Sequence, residues 1–297
     1  MRELFSKTAY GKTPKESPPN LAPYTTFDYF SDDPEREAKI QTISAKFDQL
    51  HVILRVLGEY DSNSFQRLVY GLNESLREKS GQECRQVFDE LMISTLKEAE
   101  RLEKTFAGTV ADIFTYERFK GVRNNGANFS KYLLMRIDRW LSELLDKPSY
   151  CTGPFNDIEE RFNKTNRRRY GMHLEHIYAY NDANRALFLD PKTGLFDEAV
   201  FEQTRNLLGM VLLLKDLQNI SSNNHIYKYK LGDYATSDII WNQLLCGHLA
   251  SIDTKALPTT LQNVAIQADS TGAFPKDKIE QRQQLFFEAF KTIWAQV

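Results

Sequence analysis

The stretch that decides the fold is MHLEHIYAY, residues 172–180, which sets two of the chain's five histidines beside a carboxylate in a β-prone run. Side chains alternate faces along a strand, so His173 and Glu175 share one face and His176 points to the other. Glu175 and His176 can serve one site only if the strand ends or bulges beside them. At such a point a carboxylate and an imidazole are suited to metal binding and general-base attack on a phosphodiester.

Composition limits the class of protein. The chain has 297 residues, 41% of them hydrophobic, which is enough for a substantial core. Its net charge is −2, so any nucleic-acid contact must come from a local basic patch. The three cysteines show no CxxC spacing, which argues against a disulfide framework or a zinc site and favours a reducing cytoplasm. Without a long apolar run or a signal-peptide pattern, we expect neither a membrane nor a secreted protein.

The first half of the chain has a helical pattern. Five prolines among residues 1–34 predict an extended or partly ordered arm. Apolar residues at helical spacing then predict a helix that ends at Gly58 and further helices over 62–79, 81–106 and 129–146. We group these helices into a helical domain over residues 35–150.

The second half, residues 151–297, alternates short strands with helices. A turn at 189–194 and a short helix within 196–207 precede an apolar run at 209–214, which predicts a second strand paired with the first. Capping residues at 219–222 predict a helix through about residue 234, and further helices are expected at 236–249 and 276–295. The expected fold class is therefore α+β, mostly α, with a ββα unit that brings residues 173–176 close to Asn219.

A basic cluster precedes and overlaps the central stretch. Between residues 161 and 185, six basic residues and two acidic ones leave a charge of +4. This segment is the best candidate for a DNA-backbone contact, with a solvated basic loop as the alternative. The residues we assign to DNA binding are Lys164, Arg167, Arg168, Arg169 and His173.

Taken in order, several residues resemble the nuclease domain of GmrSD-type, modification-dependent restriction endonucleases, a branch of the HNH-like (His-Me finger) nucleases. The family pattern runs Glu-His-Ile, then a Leu/Ile-Gly-Asn-Leu-x-Leu-Leu strand, then Asn, Ser-Asn, an aromatic residue and Lys. Matching positions in this chain are Glu175-His176-Ile177, Leu208 to Leu214, Asn219, Asn223-Asn224, Tyr227 and Lys230. The resemblance covers about residues 172–235 and implies a ββα-metal nuclease domain with flanking C-terminal helices.

The resemblance also implies roles for individual residues. His176 becomes the general base, and Glu175 and Asn219 become ligands of one divalent cation, Mg²⁺ or Mn²⁺. Lys230 becomes a phosphate or structural contact. Asn219 could instead be only a helix cap, and Asn223, one helical turn later, is its rival as metal ligand.

One departure from the pattern bears on activity. The asparagine of the Gly-Asn-Leu strand is Met210 here, and a thioether cannot hydrogen-bond the active-site loop as an amide can. Asn206 is a candidate substitute that the sequence alone cannot place.

The leading hypothesis is a metal-dependent DNA endonuclease in an anti-phage restriction or defence system. The resemblance implies that nucleotide hydrolysis and DNA recognition belong to another domain, so we expect an NTPase/DNA-recognition partner subunit. The alternatives are a catalytically weakened scaffold or binding subunit, in which Met210 marks a decayed site, and an RNase or toxin.

Overall fold

The computed structural model describes residues 35–124, 126–148, 150, 172–215, 224–246, 257–262 and 264–297. The predicted arm at 1–34 lies outside these ranges. The chain divides into two compact units, the first comprising Met1–Phe119 with Trp294–Val297 and the second Lys120–Ile293. Within the described ranges, every helix is too short or too polar to cross a membrane.

The first unit is helical. Its described helices are α1 (Arg36–Val56), α2 (Ser62–Ser75), α3 (Gly81–Glu98) and the short α4 (Val110–Ile113) and α5 (Tyr116–Phe119). Helix α1 packs against α3. Polar residues cap α2 and α3, since Asp61 accepts a hydrogen bond from the Ser64 amide and Ser80 forms a reciprocal capping box with Glu83.

Helix α3 ends earlier than the predicted residue 106. Glu100 adopts a left-handed conformation with φ 57°. The amides of Glu100 and Arg101 then bond back to the carbonyls of Lys97 and Leu96, at 3.2 and 2.8 Å. This αL termination closes the helix, and Leu102 beyond it is buried without helical structure.

The second unit contains both strands. Its elements are α6 (Ala127–Leu144), β1 (Met172–His176), α7 (Asp182–Ala186), α8 (Glu198–Arg205), β2 (Val211–Lys215), α9 (Tyr227–Ala235), α10 (Ile240–Cys246) and α11 (Ile279–Trp294). Helix α6, which the sequence analysis grouped with the helical domain, lies in this unit because it packs against β1, β2 and α10. Buried Asp138 on α6 accepts the Ile240 amide at 2.6 Å and so caps α10.

The strands β1 and β2 form an antiparallel pair, as the sequence predicts. Glu175 lies opposite Leu212, and His176 lies opposite Val211. The first four residues of β2, Val211 to Leu214, are fully buried, so the pair forms the centre of the core of this unit. The α+β, mostly α, class is confirmed.

The second strand begins two residues later than predicted, because Leu208–Met210 forms a 3-10 turn. The backbone of Gly209 is held by α11, whose Gln283 Oε1 accepts the Gly209 amide at 2.8 Å and whose Arg282 Nε donates to the Gly209 carbonyl at 3.1 Å. A Cβ added at Gly209 would lie 2.8 Å from the Arg282 carbonyl oxygen. Gly209 is therefore committed to a close helix contact and not to the strand ladder.

Gly209→Ala should destabilise the protein by about 1 to 3 kcal/mol, because the added methyl group meets helix backbone that cannot move aside cheaply. Gly232→Ala is the matched control, since Gly232 lies in the exposed surface of α9 with nothing within 4 Å of the added Cβ. We expect that control to be neutral or stabilising by up to about 1 kcal/mol. Urea unfolding of both variants measures the difference, and equal stabilities would contradict the close-contact account.

Candidate active site

The candidate site lies where β1 ends. Glu175 and His176 contact different neighbours, as alternation along a strand requires. Glu175 meets Lys230 and Tyr234 on α9, whereas His176 meets Asn206, which follows α8. The two side chains therefore point to opposite faces of the strand pair. Both lie at its end, because β1 stops at His176.

Glu175 and Lys230 form a buried ion pair. The Lys230 side chain is fully buried, and its Nζ donates to Glu175 Oε1 and, at 2.8 Å, to the His176 carbonyl. Burial raises the pKa of Glu175 and lowers the pKa of Lys230, and the charge of each partner opposes the shift of the other. The Tyr234 hydroxyl adds a hydrogen bond to Oε1 at 3.4 Å. Lys230 thus has the geometry of a structural contact that fixes the end of β1.

The pair leaves one carboxylate oxygen available. Lys230 and Tyr234 both bond Oε1, and within the described part of the chain Glu175 Oε2 accepts no hydrogen bond. A single carboxylate oxygen with an amide oxygen and several waters is a donor set that Mg²⁺ accepts. The described ranges hold no group of three His, Cys, Asp or Glu residues arranged for a metal, so further protein ligands must come from amides or from other parts of the chain.

His176 is held by Asn206, the residue named as a possible substitute for the missing strand asparagine. The His176 Nε2 and Asn206 Oδ1 atoms are 3.0 Å apart. Burial, then the nearby Arg205 charge, lowers the pKa of His176 to about 4. The ring is therefore neutral at pH 7, the state that a general base requires.

Arg205 is a neighbour of His176 that the sequence analysis missed. Its Nε donates to the Tyr178 carbonyl at 3.1 Å, and its guanidinium lies 4.6 Å from the centre of the Tyr180 ring. The Arg185 guanidinium lies 5.7 Å from the centre of the same ring and makes a second cation–π contact with it. No motif marks Arg205, because its relation to His176 arises only when α8 packs beside the end of β1.

The other predicted site residues divide into two groups. His173 lies on β1 opposite Leu214, half-buried and, by alternation, on the same face as Glu175. The remaining ones lie outside the described residues: Lys164, Arg167, Arg168, Arg169, Asn219 and Asn223. Their roles as DNA contacts and metal ligands therefore stay predictions.

Comparison with known families relates this chain to a family of nucleases. The family model described as "GmrSD restriction endonucleases, C-terminal domain" matches residues 115–289, which is more than half of the chain. This range contains all of the described site residues of the second unit. Neither the curated proteins nor the solved structures that were compared give a significant match.

Lys230→Met should destabilise the protein by about 3 to 5 kcal/mol, because it leaves the buried Glu175 carboxylate without its cation. Glu175→Gln combined with Lys230→Met should lose much less than the sum of the two single variants, because no charge then remains buried. The matched control is Lys228→Met, which removes an exposed lysine from the same helix. Urea unfolding of the wild type, the two single variants and the double variant completes the cycle, and strictly additive losses of stability would argue against the pair.

Proposed function

Because the chain belongs to the GmrSD restriction endonuclease family through its C-terminal domain, we propose that it is a metal-dependent, HNH-like DNA endonuclease with His176 as general base. The observation that carries this proposal is the state of His176 at the end of β1. The imidazole is neutral, and its Nε2 is bonded to Asn206. Its Nδ1 makes no hydrogen bond within the described residues and is not sealed from solvent.

The proposed step is hydrolysis of a phosphodiester. His176 Nδ1 accepts a proton from a water molecule, and the water oxygen forms a bond to phosphorus. The bond from phosphorus to the 3′-oxygen breaks, and the leaving oxygen takes a proton from solvent. Placing the base on a short, anchored strand keeps its geometry fixed while the substrate is exchanged.

We further propose that Glu175 Oε2 binds Mg²⁺ or Mn²⁺ together with Asn219, with Asn223 as the rival amide ligand. Such a cation would stabilise the charge that develops on the phosphate and the leaving oxygen. The engaged Oε1 atom supports this arrangement, since Lys230 holds the carboxylate still without using its second oxygen. The ββα-metal fold expected for this family fits the β1–β2 pair followed by α9.

DNA binding and assembly complete the proposal. We assign contacts with the DNA backbone to Lys164 and Arg167 to Arg169, and a further contact with the substrate to His173. The family relationship supports a role in restriction. We propose that the chain acts in anti-phage defence in the cytoplasm, with an NTPase/DNA-recognition subunit as its partner. The printed sequence contains no Walker-type phosphate loop.

A catalytically weakened scaffold subunit is the second candidate. Position 210, where the family pattern has an amide, holds a fully buried methionine. An RNase or toxin would use the same residues on a different substrate. Assays on DNA and RNA therefore separate the three functions.

His176→Ala should reduce Mg²⁺- or Mn²⁺-dependent cleavage by ~10²-fold or more while the protein stays folded, because it removes the base. The control is His225→Ala, an exposed histidine of the same unit. The assay uses modified and unmodified plasmid DNA, with and without proteins encoded beside this chain, and circular dichroism checks folding.

Full cleavage by a folded His176→Ala variant would remove His176 from the mechanism. A wild-type protein that binds DNA but cleaves neither DNA nor RNA with any partner would favour the scaffold function. Cleavage of RNA alone would favour the RNase.

Replacing Arg167, Arg168 and Arg169 by Gln should weaken binding to all DNA sequences alike, because phosphate contacts read no bases. The slope of log affinity against log salt concentration should fall by up to about 0.9 for each lost contact. Arg77, Arg85 and Arg101 of the first unit supply a control triple of equal charge. Fluorescence anisotropy at several salt concentrations measures the slope, and an unchanged slope would make the cluster a solvated loop.

A further inference from the structure

We infer that Asn206 and Glu202 form a positioning clamp that fixes both the ring orientation and the tautomer of His176, so that Nδ1 is the nitrogen offered to water. The catalytic meaning of this clamp rests on the proposed function. The hydrogen-bond arrangement does not, because it follows from three side chains and one backbone carbonyl.

The orientation of the Asn206 amide is set by its donors. Asn206 Nδ2 donates to the Glu202 carbonyl oxygen and to Glu202 Oε2, each at 2.9 Å. Both are acceptors, so the nitrogen must face Glu202 and the amide cannot be turned over without losing two hydrogen bonds. The oxygen, Oδ1, is therefore the atom that faces His176.

The tautomer of His176 follows from that orientation. Asn206 Oδ1 only accepts, and it lies 3.0 Å from His176 Nε2. A neutral imidazole has one donor and one acceptor nitrogen, so Nε2 must carry the hydrogen and Nδ1 must carry the lone pair. The clamp thereby selects which nitrogen can take a proton.

The clamp is itself held by the segment that follows β1. Glu202 Oε1 accepts the Tyr180 hydroxyl and lies 3.5 Å from Arg205 Nη1. Arg205 in turn donates to the Tyr178 carbonyl at 3.1 Å. The loop after the histidine and the end of α8 are therefore joined by two hydrogen bonds, which hold Glu202 in place beside Asn206.

Position 210 cannot supply the same contact. The Met210 side chain is fully buried, and its backbone carbonyl accepts the Ile177 amide at 3.0 Å. The 3-10 turn thus uses position 210 to hold the backbone just after His176. The amide that holds the ring comes from Asn206, four residues earlier in the chain.

The test is a long-range ¹H–¹⁵N NMR spectrum of the full chain labelled at histidine nitrogens, with His176 assigned by its loss in His176→Ala. At pH 7 the wild-type protein should show a pyridine-like Nδ1 and a pyrrole-like Nε2 for His176. Asn206→Leu should move both signals toward intermediate values, because the ring is then free to exchange tautomers. Gln203→Leu, an exposed change on the same helix, should leave both signals in place.

Kinetics supply the second readout. Asn206→Leu and Glu202→Leu should each lower kcat by ~10- to 100-fold, the range typical of groups that orient a functional histidine, with little change in KM. The double variant should lose little more than either single one, since the two residues act as one unit. Gln203→Leu should keep wild-type kcat.

Two results would overturn the inference. One is a protonated Nδ1 in the wild-type spectrum, which needs no variant and so does not depend on whether Asn206→Leu folds. The other is an Asn206→Leu protein with unchanged ring signals or unchanged kcat. If the spectra follow expectation and His176→Ala cleaves like the wild type, the hydrogen-bond arrangement of the clamp stands and the proposed role of His176 as general base fails.

Discussion

The ion pair between Glu175 and Lys230 is the interaction on which the candidate site depends. One buried ammonium holds the carboxylate of the penultimate β1 residue and the backbone carbonyl of the last one. Burying two charges costs several kcal/mol for each, so such a pair fixes geometry more than it adds stability. Here it joins β1 to α9 and fixes where the strand ends. Because the strand ends there, the Glu175 and His176 side chains lie on opposite faces at the end of the strand pair.

The two sides have different chemistry. On one, a carboxylate keeps a single oxygen free beside a buried cation, which suits one ligand of a hydrated metal. On the other, burial and the Arg205 charge keep the imidazole neutral, and an amide holds one of its nitrogens. A carboxylate and a histidine adjacent in sequence thus receive separate environments, which is how neighbouring groups acquire distinct roles.

Local patterns predicted the longer helices and the pairing of β1 with β2, because apolar periodicity acts over a few positions. The helix expected from capping residues at 219–222 was placed too early, since residues 224–226 are not helical and α9 begins at Tyr227. The predicted start of β2 was two residues too early, because the Gly209 backbone is held by a contact with α11, more than 70 residues away in sequence. For the same reason the family pattern identified Lys230 but did not predict its ion pair with Glu175, 55 residues away in sequence. Asn206 could be named but not placed, because its distance from His176 depends on how α8 packs.

The most direct measurement is a crystal structure of the chain with Mn²⁺ and a duplex that carries a non-hydrolysable linkage, with the metal located by anomalous scattering. The account predicts Mn²⁺ at about 2.0 to 2.2 Å from Glu175 Oε2, with Lys230 still on Oε1. It also predicts a water between His176 Nδ1 and the scissile phosphorus, about 2.6 to 3.2 Å from the nitrogen. Mn²⁺ bound away from Glu175, or a His176 ring with Nδ1 turned from the phosphate, would contradict it.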